Sequence, residues 1–225
     1  MVRIHDRPWL SSKPPAPPDL PQELAPLEED PPSLKGIELA ECAITAMNWS
    51  ARDATGMRLA ECRLENVDLS SVKLGHAGLR DVGVSGGSWT NVDATKVALR
   101  RVAFRDTRLT GVSFVDAALS DVVFVDCGID LGSFRFAKLA RVRFEGCRLQ
   151  EADFYEASVT STIFVDCSLT GASVAAATFA DTELRGCDLA ALGNPECLRG
   201  VRMPWADIVG AADVFAAALG IEIVE

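Results

Sequence analysis

Residues 97–126 read VALRRVAFRDTRLTGVSFVDAALSDVVFVD. Their large apolar residues Leu99, Phe104, Leu109, Phe114, Leu119 and Phe124 stand five apart. A helix repeats its apolar face at about 3.6 residues and a strand at about 2, so this spacing fits neither. Extended in both directions, the register runs from Leu34 to Leu189. That is (189 − 34)/5 + 1 = 32 positions, held by fifteen Leu, eight Phe, three Val, two Ile, two Trp and two Ala. A period kept over that length marks a repeat architecture, in which each unit buries its apolar face only against its neighbours.

Two further columns follow from the register. Two residues before each large apolar position the chain carries a small one: nine Val, seven Ala, six Cys, three Thr and two Gly, with Pro32, Ile37, Met47, Arg52 and Met57 departing near the start. Two residues after it stand seven Gly, seven Asp and two Asn among the 32 positions. These types tolerate tight or left-handed backbone, so this column reads as a turn. Each five-residue unit thus points one large and one small side chain inward and then bends.

Units such as Ala152-Asp153-Phe154-Tyr155-Glu156 and Val67-Asp68-Leu69-Ser70-Ser71 resemble the pentapeptide-repeat family. The resemblance covers Leu34 to Leu189. It implies an all-β solenoid, a right-handed quadrilateral β-helix with four units per coil, hence 32/4 = 8 coils. The cysteines indicate the same coil length by themselves. Cys127, Cys147, Cys167 and Cys187 are each 20 apart, as are Cys42 and Cys62. At a strand spacing of about 4.8 Å, eight coils give a rod on the order of 38 Å long.

Outside the rod the chain divides into a leader, residues 1–33, and a tail after residue 191. The leader holds nine of the eleven prolines and favours extended polyproline II. Trp9, Leu10, Leu20, Leu24 and Leu27 are its candidates for packing over the first coil or along the rod, with a short helical turn over Pro21–Ala25. The tail, residues 192–225, is expected to cap the far end. Trp205 to Leu219 reads as one amphipathic helix, and Ile221–Val224 as a short strand. Trp205, Ile208, Phe215 and Leu219 are the cap or dimer candidates, because the resemblance allows a homodimer through such a helix.

Within the rod, Trp49 and Trp89 are each followed five residues on by Ala54 and Ala94, and both rings are read as core filling. Arg52 falls in an inward column, where a charge needs a partner or a route to water. The outward positions carry two apolar groups. Val123, Val125, Ile163 and Val165 lie on one face, interrupted by Arg143 and Glu145. Val115, Phe136 and Tyr155 lie on the opposite face, with Leu131 at a nearby corner. Both are candidate partner surfaces.

The sequence offers no chemistry. Stacked inward cysteines lack the close pairs of a zinc site. His5 and His76 have no nucleophile placed to use them. Gly83–Gly87 lacks the lysine of a phosphate loop. No enzyme site, cofactor or metal is expected. The odd count of seven cysteines fits a reducing compartment, the start lacks a secretory signal core, and no apolar run reaches membrane-spanning length, so a cytoplasmic protein is expected. The net charge of −10 argues against direct nucleic-acid binding.

The resulting expectation is a non-enzymatic protein-binding or scaffolding module with an unknown protein partner. The alternative comes from the resemblance, some of whose bearers imitate duplex DNA and bind DNA gyrase or topoisomerase IV, protecting it from fluoroquinolones. Such imitation calls for a strongly acidic face. Residues 34–189 hold 17 basic and 21 acidic residues, a net of only −4.

Overall fold

The computed structural model describes residues 14–224, so Trp9, Leu10 and His5 lie outside it. The five-residue register becomes the core. Thirty of its 32 positions are buried, and Leu39 and Phe179, at the first and last turns, are half-buried. All 32 turn positions from Gly36 to Ala191 take positive φ, which closes a corner after every unit. The small-residue column is what lets four corners close on so narrow an interior.

Each coil stacks on the next with a shift of 20 residues. Strands β1 (Ala25–Pro26), β2 (Glu38–Ala40), β3 (Cys42–Thr45), β4 (Arg58–Glu65), β5 (Gly78–Ser85), β6 (Ala98–Arg105), β7 (Ala118–Val125), β8 (Lys138–Glu145), β9 (Ser158–Thr160), β10 (Ile163–Val165), β11 (Thr178–Ala180) and β12 (Glu183–Arg185) form one parallel sheet along two adjoining faces. Leu59 pairs with Leu79, Leu79 with Leu99, Leu99 with Leu119 and Leu119 with Leu139. The other two faces are joined by single parallel bridges in the same register, from Asn48↔Asp68 to Ser168↔Asp188 and from Asp53↔Lys73 to Ser173↔Gly193. Backbone groups are therefore satisfied between coils rather than within them.

Stacking puts like on like. Phe104, Phe124, Phe144 and Phe164 form a ladder with ring centroids 4.9, 4.9 and 4.8 Å apart and near-parallel planes. Phe134 and Phe154 stack at 4.7 Å on the facing side and meet the first ladder edge-on. The cysteine columns are core as well. The Cys42 and Cys62 sulfurs are 3.5 Å apart, and all seven thiols are free, five of them buried. Burial pushes the Cys42 thiol up to about 12. In the longer column the thiols act on one another in alternation: Cys127 is raised by the Cys147 thiol and then by burial, Cys167 by the Cys147 and Cys187 thiols and then by burial, while Cys147 and Cys187 are lowered by their neighbours. Their place is in the packed interior, where Cys42, Cys62, Cys127, Cys147 and Cys167 are buried in the core.

At each end one face of the sheet is extended by the flanking segment. At the first coil, Ala25–Pro26 adds a short parallel strand to Cys42–Ala43, with the Leu27 amide donating to the Ala43 carbonyl at 2.8 Å. The expected helical turn over Pro21–Ala25 is absent: the chain bends at Gln22–Glu23 and is then drawn into the sheet edge. Arg52 reaches out to this segment, donating to Asp30 at 2.7 Å and to the Pro31 carbonyl, while the Trp49 indole N–H donates to the same carboxylate at 2.7 Å. At the far end, the Leu184 amide bonds the Arg202 carbonyl and the Gly186 amide the Asp207 carboxylate.

The tail departs from its expectation in two respects. The single helix is broken into α1 (Trp205–Gly210) and α2 (Ala212–Ala218), with Ala211 between them at φ −109°, ψ 21°. Gly210 is a weak helix former, and the break turns Ala211 and Val214 into the core. Ile221–Val224 forms no strand.

Candidate functional site

The rod presents four faces and four edges, and function must reside there because the interior is filled. Among the described residues, no group of three or more His, Cys, Asp or Glu could hold a metal ion, and no helix is long and apolar enough to cross a membrane. The cleft between the last coil and α1–α2 is open, and its polar lining, Asp188, Asp207 and Asp213, carries one sign only.

The first apolar group does not form one open surface. Ile163 and Val165, expected outside, are only 4% and 5% exposed. In the ladder they lie between the Arg143–Glu145 pair one coil before and the Glu183–Arg185 pair one coil after, and these long paired side chains flank them. Val123 and Val125 are half-buried. Alternating outward positions mark a side as facing out, but they do not register what lies over it.

The second group does form a surface. Phe136 and Tyr155 meet edge-to-face with centroids 5.7 Å apart, and the Arg135 guanidinium lies over both rings at 5.6 and 4.5 Å. Asp153 holds Arg135 at 2.8 Å. Leu131, one corner away on the same coil, is 57% exposed and Phe136 is 40% exposed. Val115 is half-buried one coil earlier. Sequence reasoning passed over Arg135, although an arginine beside an outward Phe–Tyr pair is the signal for such a stack.

The backbone sharpens this patch. Leu131 and Phe136 occupy corner positions with φ of 58° and 60°. A left-handed conformation costs a side-chain-bearing residue about 1–2 kcal/mol. Most corners use Gly, Asp, Asn or another small or polar residue. Here two bulky apolar residues are held in that conformation and are then left in water, which neither packing nor local backbone preference explains.

The cap candidates separate into two pairs. Phe215 packs against the core and Ile208 is half-buried, so they seat the helices. Trp205 and Leu219 are 79% and 76% exposed. With Val209, Ile221, Ile223 and Val224, they make six of the eight large apolar side chains that stand exposed among the described residues.

Charge is also arranged by edge. On one edge, Arg101 clamps Asp81 through two bonds of 2.5 Å, and Arg141 clamps Asp121 at 2.8 and 2.7 Å. The guanidinium bonds hold the Asp81 carboxyl below its usual range and bring Asp121 to about 2. On the next edge, Asp106, Asp126 and Asp166 stand exposed in one column. Desolvation and then the neighbouring Asp106 raise Asp126, so this edge is acidic and not neutralised in the same way.

A family model described as pentapeptide repeat region matches residues 97–161 and 137–193. No curated protein matches the sequence. Among solved structures, a trypsin-treated form of QnrB1, a plasmid-mediated fluoroquinolone resistance protein, aligns with a TM-score of 0.52 at 16% identity, over 90% of this chain and 99% of that one. HetL, a pentapeptide repeat protein involved in heterocyst differentiation regulation in the cyanobacterium Nostoc, is 18% identical over 76% of this chain and 90% of its own, with a TM-score of 0.31. At these identities the first likeness speaks for the fold alone.

Proposed function

The chain belongs to the pentapeptide-repeat family, and from that premise we propose that it is a non-enzymatic protein-binding module that pairs through its C-terminal cap and offers the Phe136–Tyr155–Arg135 face to a partner. The observation that carries this reading is the placing of exposed apolar side chains. They collect at the cap and at two left-handed corners rather than scattering singly over the rod. Exposed apolar groups gathered in this way mark protein contacts. An aromatic pair with a guanidinium across it has the composition found at the centre of such contacts.

Phe136→Asn separates binding from folding. Asparagine suits the left-handed corner, so the variant is expected to be as stable as the wild type or up to about 1 kcal/mol more stable. The proteins captured by the wild-type rod under cross-linking should be lost from the variant. An unchanged capture profile together with an intact fold would remove this face from the proposal.

A second reading, imitation of duplex DNA toward DNA gyrase, is favoured by one feature, the Asp106, Asp126 and Asp166 edge. Gyrase supercoiling, assayed with and without a fluoroquinolone across a titration of the protein, tests it. Inhibition or drug protection that disappears in the Asp106→Asn, Asp126→Asn, Asp166→Asn triple variant is the expected result of that reading. No effect at large excess over gyrase would end it.

A further inference from the structure

The leader does not merely lead into the rod. In Pro14-Pro15-Ala16-Pro17-Pro18-Asp19, only Ala16 and Asp19 carry a backbone N–H, because proline has none. Both are used. The Ala16 amide donates to Asp121 Oδ1 at 3.2 Å and the Asp19 amide to Asp81 Oδ1 at 3.0 Å. The two carboxylates sit 40 residues apart in one corner column, which is two coils or about 9.6 Å along the rod. Three residues of polyproline II advance about 9.3 Å. The rod's pitch and the polyproline pitch therefore coincide at three residues to two coils, and the donors fall at that interval.

The edge is built for this ligand. Arg101 and Arg141 fix the two carboxylates from the following coil, so that each presents an oxygen to the passing chain. Asp81 is only 2% exposed beneath the leader. On the adjoining face the outward positions Gly83 and Ala103 leave a shallow floor. A side chain added at Gly83 would stand 3.5 Å from the Leu20 methyl that rests there. Clamped carboxylates at a fixed interval recognise the backbone rather than the side chains of what they hold.

We propose that this edge is a receptor for polyproline II chain, held shut by the protein's own leader, and that its external ligand is a proline-rich segment of a partner protein with an N–H at every third residue. The leader wins in the resting molecule because it is tethered, which gives it a high effective concentration. Between Pro14 and Leu20 the leader's hydrogen bonds to the rod are these two amide bonds, so a competing segment of the same spacing has few of them to displace. This surface is distinct from the aromatic face and the cap.

The test uses the full chain with Ala16→Pro and Asp19→Pro. The double variant keeps the leader in polyproline II but removes both donors, leaving the carboxylates without their ligand. The probes are a fluorescent peptide, Pro-Pro-Ala repeated three times, and nonaproline, which has no N–H in its repeat. The spaced peptide is expected to bind the double variant at least tenfold more tightly than the wild type, and nonaproline to bind neither. Leu20→Ser, which loosens the leader without touching the carboxylates, should move binding in the same direction if the double variant misfolds. Equal binding to wild type and variants, equal binding of the two peptides, or no binding to any well-folded variant would each overturn the proposal.

Discussion

Phe144→Ala is expected to destabilise the rod by about 3–5 kcal/mol, the cost of emptying a large aromatic site in a packed core. Phe144 is fully buried, stacked between Phe124 at 4.9 Å and Phe164 at 4.8 Å, and touched edge-on by Phe134 at 6.0 Å. Four backbone walls fix the width of the interior, so the cavity has little freedom to collapse. A domain of ordinary stability has only about 5–15 kcal/mol to lose. In urea denaturation the midpoint should drop sharply. Because a solenoid is held by nearest-neighbour contacts, the coils either side of the gap should lose amide protection first. A cost below about 1 kcal/mol would mean that the aromatic ladder is not the spine of the fold.

Gly87→Ala should cost about 2–5 kcal/mol, from two separate sources. At φ 73° a side chain brings the left-handed penalty of about 1–2 kcal/mol. The new Cβ would also stand against the backbone of Val67, 2.8 Å from its nitrogen and closer still to its carbonyl oxygen, and overpacking of that kind costs about 1–3 kcal/mol. Gly36→Ala is the control. Its φ is 64° but nothing lies within 4 Å of the added atom, so strain alone applies. Thermal or denaturant midpoints of the two variants separate the terms. Equal losses would show that the contact with Val67 carries no weight. Glycine is needed at position 87 for its left-handed backbone and for the closeness of the Val67 backbone one coil before.

Much of this architecture is legible in the residues because the interior is one-dimensional. A large position, a small position and a turn position recur every five residues, and each dictates one backbone or packing property. Trp49 and Trp89 read as core for that reason, and they are 0% and 1% exposed. What lies outside the register was harder to read. Ile163 and Val165 occupy outward positions like any others, yet they are 4% and 5% exposed. The break at Ala211 depends on a tertiary contact that pulls Ala211 and Val214 inward. The leader's course was partly legible. The paired N–H groups of Ala16 and Asp19 and the alternation Asp81, Arg101, Asp121, Arg141 are both visible in the chain. Only the rod's pitch shows that they match.

Phe136 and Leu131 stand apart from other outward residues by their left-handed backbone as well as by their exposure. An outward Phe in a repeat is unremarkable until its corner position makes it costly. The stack of Arg135 over Phe136 and Tyr155 gives that cost a use. At the cap, the side chains that seat the helices, Ile208 and Phe215, are distinct from those left outside, Trp205 and Leu219. This division lets the proposed pairing be tested at Trp205 and Leu219 without unseating the cap.

The mass of the full chain in solution, by sedimentation or light scattering over a range of concentrations, tests the account most directly. The wild type is expected at twice 24.1 kDa, and the Trp205→Asp, Leu219→Asp variant at 24.1 kDa with an unchanged circular dichroism spectrum. A wild type that stays at 24.1 kDa at every concentration, or a variant that still pairs, would contradict the assignment of the cap as a contact surface.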